Sequence, residues 1–212
     1  MHALPADLPK PTDFDVAFVI GLHKSGTSLL VEHLSNHYFD TSRVTNPGER
    51  GYGNTVSRYL TRECKVVRKI NESYRSYASS STPSEDAFDW AAKREEMRAF
   101  LKRWQGPIVL KAPFFGYSLG DWLYATKALG RRPCVCFAYR NLSDVINEWQ
   151  KAPYTRELLD QGELERLSAA IHGQIEGAKV AAIEVYEFGY DEIISFSTCQ
   201  TNGLAAHKTH SK

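Results

Sequence analysis

The sequence lacks the features of several protein classes. No apolar run reaches the roughly 20 residues that a membrane-spanning helix needs, and the first fifteen residues hold no apolar segment of the kind found in a secretory signal. The formal net charge is only +1, with 26 Lys and Arg against 25 Asp and Glu, so bulk electrostatics favours neither nucleic acid nor a membrane surface. These absences predict a cytoplasmic protein without a nucleic-acid partner or a membrane span.

Cysteine is also scarce. The four cysteines form no C-x-x-C pair and show no metal-ligand spacing. Cys134 and Cys136 alternate within an apolar run, so both side chains should point to the same face of a strand. We therefore expect reduced thiols in a protein core and no structural metal.

Four apolar segments are typical of buried parallel strands: DVAFVIG, GPIVLK, PCVCFAY and AKVAAIEVYEF. Helical patterns separate them, one of which begins with a capping box at Thr82 and Glu85. The sequence does not decide whether residues Cys64 to Val67 form a short strand or part of a helix. Strands that alternate with helices predict an α/β fold, a three-layer sandwich around a central parallel sheet.

The 212 residues suffice for one domain. We predict that this domain covers residues 1–196, with a Pro-rich arm at residues 1–11 and a mobile tail at residues 197–212, where periodicity is absent. Parallel sheets bind ligands at the carboxyl ends of their strands. We therefore expect the functional residues in the segments that follow the strands. These are residues 21–28, 111–113 and 140–144, together with Tyr186 and Glu187.

The segment GLHKSGTS, residues 21–28, almost spells a phosphate-binding loop. A Walker loop reads G-x-x-x-x-G-K-[ST], and Gly21 and Gly26 keep that spacing. Thr27 stands where the Walker lysine belongs, and the lysine lies inside the loop as Lys24. A glycine-rich turn at the start of a helix offers backbone N–H groups to an anion, and the neighbouring lysine and hydroxyl side chains strengthen that prediction.

The carboxylate of a Walker magnesium site is not evident in the sequence. Such a site uses an aspartate at the end of a strand, whereas Asp121 and Asp144 lie on predicted helices. The loop therefore suits a smaller anion, held by backbone groups and one lysine.

Three further segments accompany the loop in a known order. GLHKSGTSLL resembles the 5′-phosphosulfate loop of sulfotransferases that use 3′-phosphoadenosine-5′-phosphosulfate, the bacterial members in particular. CFAYRNLSDVINEW is similar to the 3′-phosphate segment of that family, and the positions in agreement are Arg140, Asn141, Asp144 and Val145. IVLKAP and IEVYEF resemble the two remaining strand ends. The resemblance covers roughly residues 15 to 190.

The resemblance implies a fold related to P-loop nucleotide kinases and sulfuryl transfer from that donor to a hydroxyl or amine. Lys24 and Lys111 would be catalytic, and Glu49 is the candidate general base. No metal is expected, and small-molecule, sugar, lipid and peptide acceptors all stay open. The residues implied to bind the donor are Gly21, His23, Lys24, Ser25, Gly26, Thr27, Ser28, Arg140 and Ser143.

Three positions depart from the family pattern. Leu142 replaces a proline, and Pro113 stands where cytosolic relatives carry a catalytic histidine. Glu148 occupies the place of a serine that binds the 3′-phosphate, where a carboxylate would repel the phosphate. Two other hypotheses therefore stay open: a P-loop small-molecule kinase with a degenerate loop, and a non-catalytic nucleotide-binding protein on the same fold.

Overall fold

The structure is a computed structural model that describes residues 14–34, 64–80, 88–151 and 160–195. Several sequence predictions fall outside these residues: the arm at 1–11, the tail at 197–212, the capping box of Thr82 and Glu85, and the candidate base Glu49.

The described strands form one parallel sheet. They are β1 Val16–Ile20, β2 Ile108–Lys111, β3 Pro133–Tyr139 and β4 Glu184–Gly189. The strand order is β2-β1-β3-β4, and each neighbouring pair is parallel. All four carboxyl ends therefore lie along one edge of the sheet, as the alternating pattern of the sequence predicted.

Helices connect the strands and cover both faces of the sheet. The described helices are α1 Thr27–His33, α2 Lys65–Ala78, α3 Trp90–Leu101, α4 Leu119–Ala128, α5 Leu142–Lys151 and α6 Gln161–Val180, with a 3₁₀ turn at Pro113–Tyr117.

The alternation of β1 side chains divides the core in two. Phe18 and Ile20 point into the larger cluster, which α2 to α6 and the 3₁₀ turn complete. Ala17 and Val19 point to the opposite face, where α1 packs. The α/β three-layer arrangement predicted from the sequence is therefore confirmed. Cys134 and Cys136 are both buried in the smaller cluster, so the prediction of a shared face is confirmed as well.

The structure decides one segment that the sequence left open and shows that one predicted strand boundary was wrong. Residues Cys64 to Val67 do not form a strand of the sheet, because α2 begins at Lys65 and buries residues at helical spacing, Val67, Ile70 and Tyr74. The last strand begins at Glu184 and not at Ala178, because Ala178 is still a buried residue of α6. An apolar run that crosses a helix end and a strand start has no internal mark of the boundary.

Candidate active site

The loop of residues 21–28 connects β1 to α1 and packs tightly against β3. A Cβ atom on Gly21 would lie 2.3 Å from the carbonyl oxygen of Ala138 and 2.7 Å from Oγ of Ser25. Real Cβ atoms essentially never approach backbone so closely, so only glycine fits here. Gly21 therefore fixes the loop against the carboxyl end of the central strands.

Two residues of the loop have a left-handed backbone conformation. Lys24 has φ 65° and Gly26 has φ 89°, both in the left-handed region. The N–H and the hydroxyl of Ser25 both donate to the carbonyl of Leu22, at 3.2 and 2.6 Å. A lysine in the left-handed region is strained, by roughly 1–2 kcal/mol, and such strain tends to occur at functional sites.

Lys111 lies at the end of β2 and reaches the loop. Its side chain is buried, with only 4% of the residue exposed, and Nζ donates to Oγ of Ser28 at 3.1 Å. Ser28 is the residue that would hold magnesium in a Walker loop. The structure thus brings Lys111 of β2 to the glycine-rich loop, two segments that lie far apart in the sequence.

Arg140 follows β3 and holds the loop from the other side. Its Nη1 donates to the carbonyl of Lys24 at 3.1 Å, and its guanidinium lies 4.0 Å from the centroid of the Tyr190 ring. A Cβ on Gly26 would in turn meet Cδ2 of Tyr190 at 3.2 Å. Arg140 therefore stabilises the strained backbone of Lys24 while it remains at the edge of the sheet, where the sequence placed it.

His23 points into the protein between two aromatic rings, Phe114 at 5.9 Å and Trp149 at 4.9 Å. Burial, and then the positive charges of Lys111, Lys24 and α2 arginines, lower the pKa of His23 to about 3. The imidazole is therefore neutral at pH 7, and its low pKa makes it a weak base. Its buried Nε2 has no hydrogen-bond partner within the described part of the chain.

Arg68 and Arg75 of α2 are the two arginines that act on His23, and sequence reasoning missed them. Arg75 donates to Glu163 at 2.7 Å, and Arg68 pairs with Glu72 at 2.7 Å. They stand seven residues apart on one face of a helix, which was a signal for a basic stripe. The packing of that helix beside the loop had no such signal, because it depends on the tertiary fold.

The remaining predicted residues occupy varied positions. Thr27 is buried at the start of α1. Ser143 is exposed, and both its N–H and its hydroxyl donate to Oδ1 of Asn141, so Asn141 acts as an N-cap of α5. Their roles as ligands of the donor stay predictions, as does that of Ser25.

Glu148 lies on α5 and is 42% exposed. A hydrogen bond from Lys151 at 2.8 Å, with smaller effects of Arg140 and Lys24, lowers the pKa of its carboxyl. Glu148 thus sits within the field of the site while its carboxylate is held by a lysine of its own helix.

Three aromatic residues that follow strands or loops of the sequence, Tyr52, Tyr117 and Trp122, are candidates for an acceptor pocket. Trp122 is fully buried and donates from Nε1 to Asn71 at 2.8 Å, so it is a core residue. Tyr117 is half-buried, and burial raises its pKa. Tyr52 lies outside the described residues.

The carboxylate of Asp121 on α4 is engaged away from the loop. Asp121 binds Arg94 at 2.6 Å and Tyr74 at 2.9 Å, away from the loop. No three His, Cys, Asp or Glu side chains of the ranges given above are grouped so that they could hold a metal ion. None of the helices in those ranges is both long and apolar enough to cross a membrane.

The chain matches no protein-family model and no curated protein. Two solved structures of deoxyadenosine kinase from M. mycoides have a similar backbone fold. One contains the products dCMP and a flexible dCDP, and the other contains dATP. The first has 11% identity and a TM-score of 0.44, and the second 9% and 0.45; each comparison covers 90% of this chain and 98% of the kinase. Both likenesses are distant and concern the backbone alone.

Proposed function

We propose that the protein transfers a sulfuryl group from 3′-phosphoadenosine-5′-phosphosulfate to a hydroxyl or amine acceptor, as the resemblance of its motifs implies. The observation that carries this proposal is the hydrogen bond from Nζ of Lys111 to Oγ of Ser28. A Walker loop uses the same hydroxyl to hold magnesium. Here an ammonium group donates to one of the two lone pairs of that hydroxyl. In this proposal the positive charge that neutralises the donor therefore comes from side chains.

Two lysines and the backbone of the loop bind different parts of the phosphosulfate group. Sulfuryl transfer requires in-line positioning and neutralisation of the charge that grows on the leaving oxygen. Lys24 meets that charge on the oxygen between sulfur and phosphorus, while Lys111 stabilises the sulfonate oxygens. The N–H groups at the start of α1, with Thr27 and Ser28, hold the 5′-phosphate.

Arg140 links the ends of the donor. Its guanidinium contacts the carbonyl of Lys24 and the ring of Tyr190, so a phosphate bound there is positioned relative to the loop. We assign the 3′-phosphate to Arg140. His23 supports the same loop as a neutral wedge between Phe114 and Trp149, and Glu49 remains the proposed general base.

The test is transfer with and without divalent cations. The protein is incubated with the phosphosulfate donor and mixed hydroxyl and amine acceptors in EDTA, and adenosine 3′,5′-bisphosphate is measured by chromatography. We expect its formation in EDTA, and little loss of ATP when ATP and magnesium replace the donor. Magnesium-dependent consumption of ATP with an acceptor would support the kinase hypothesis instead. Binding of the bisphosphate without turnover would support a non-catalytic protein.

A further inference from the structure

A cavity of about 280 Å³ lies beside the loop on the face of the sheet that α6 covers. Leu22 and Ser25 of the loop, Phe137 of β3 and Ile171 of α6 contribute to its wall. At roughly 30 Å³ for each water-sized group, this volume corresponds to about nine such groups. That is the size of a single substituted ring, and it is just below the range of drug-sized pockets.

The wall is chemically mixed but carries little net charge. Its floor is apolar, and the ring of His172 meets Phe137 edge to face with centroids 5.5 Å apart. Ser168 and Asn141 add polar groups. Arg140 and Glu187 bring one charge of each sign to the wall. Such a wall favours an uncharged ring with a hydrogen-bonding substituent over a phosphate or a sulfate.

We infer that this cavity is the acceptor subsite, and that the acceptor is an uncharged single-ring molecule that bears a hydroxyl group. The inference rests on the proposed function. Ser25 lies in both the cavity wall and the anion loop, so a hydroxyl at that end of the cavity is adjacent to the group held by the loop. Arg140 borders the cavity while it faces Tyr190, so it stands between acceptor and nucleotide.

A cavity-filling substitution with a matched control tests the assignment. Ser168→Phe places a ring in the cavity, whereas Ala169→Phe places the same ring on the next residue of α6, which is exposed and does not line the cavity. The probe is 4-methylphenol, whose binding is followed by saturation-transfer NMR without any donor. Sulfation of the probe and affinity for adenosine 3′,5′-bisphosphate are measured in parallel.

We expect Ser168→Phe to lower both probe binding and kcat/KM for its sulfation by about tenfold or more, with bisphosphate affinity unchanged. Ala169→Phe should leave all three quantities close to wild type. Wild-type protein should also bind 4-methylphenol more tightly than 4-hydroxybenzoate, because the wall offers no surplus cation.

Several results would overturn the inference. Loss of bisphosphate affinity in Ser168→Phe alone would assign the cavity to the nucleoside, and equal losses in both variants would indicate general disturbance of α6. Tighter binding of 4-hydroxybenzoate would contradict an uncharged acceptor. If the wild type binds 4-methylphenol and Ser168→Phe abolishes this binding while no sulfuryl transfer occurs, the proposed function fails but the cavity keeps its ligand class.

Discussion

Replacing Lys24 by glycine should make the protein more stable and inactive at once. Lys24 has φ 65°, a conformation that costs an L-residue roughly 1–2 kcal/mol and costs glycine nothing. Glycine gains more entropy in the unfolded chain, worth about 0.5–1 kcal/mol. Lys24→Gly should therefore be more stable than Lys24→Ala, by up to about 1.5 kcal/mol.

Both variants lack the ammonium group and should lose activity together. Removal of one preorganised electrostatic contact to a transition state typically lowers kcat about 10²–10³-fold, and here the loss should appear in kcat more than in KM. Stability is measured by urea denaturation and activity by formation of adenosine 3′,5′-bisphosphate from the phosphosulfate donor.

Ala182 supplies the matched control. It has φ 53° and follows α6, so Ala182→Gly relieves the same kind of strain without removing a charge. It should gain similar stability and keep wild-type activity. Lys24→Gly with activity within about threefold of wild type would refute the role of the ammonium group. A Lys24→Gly variant less stable than Lys24→Ala would refute the strain argument.

Three further predictions concern the residues around the loop. Because the pKa of His23 is lowered from 6.5 to about 3, its contribution to stability should be complete above pH 6.5 and should be lost as the pH falls toward 3, with a slope of up to about 1.4 kcal/mol per pH unit. Urea denaturation across this pH range should show a shallower decline of stability for His23→Gln than for the wild type. An equal slope in both proteins would contradict the burial of a neutral imidazole. Gly21→Ala should abolish donor binding in calorimetry, because its Cβ meets the carbonyl oxygen of Ala138. Gly173→Ala, with no atom within 4 Å of its Cβ, should retain donor binding and stabilise α6 by about 0.5–1 kcal/mol. Equal donor binding by the two variants would contradict the packing argument. Glu148→Gln should increase the affinity for adenosine 3′,5′-bisphosphate more than that for adenosine 5′-monophosphate, since the Glu148 carboxylate interacts with Arg140 and Lys24. The ion pair of Glu148 with Lys151 should limit this gain. Weaker binding of both ligands would instead give Glu148 a positioning role.

The strands were predictable because buried parallel strands read as continuous apolar runs. Their carboxyl ends share one edge in any such sheet, so the meeting of Lys111, Arg140 and the glycine loop followed from topology alone. The boundary between α6 and β4 did not follow, because residues 178–185 are apolar except for Lys179 and Glu184 and so look alike on both sides of the turn at Ala182.

Side-chain direction was the part of the site that the sequence did not contain. The sequence placed His23 in the loop, but its insertion between Phe114 and Trp149 depends on how the 3₁₀ turn and α5 pack. Likewise, the sequence offered the hydroxyl of Ser25 as an anion ligand, while the structure directs its proton to the carbonyl of Leu22. Both details arise from tertiary contacts that no local pattern encodes.

The most direct measurement is calorimetric titration of adenosine 3′,5′-bisphosphate and of ATP into the wild type and Lys111→Met, each in EDTA and in magnesium. If Lys111 supplies the charge that magnesium supplies in a Walker site, the wild type binds the bisphosphate equally well in both buffers and more tightly than it binds ATP with magnesium. Lys111→Met should lose most of that affinity in both buffers. Binding of ATP only in the presence of magnesium, unaffected by Lys111→Met, would contradict the account.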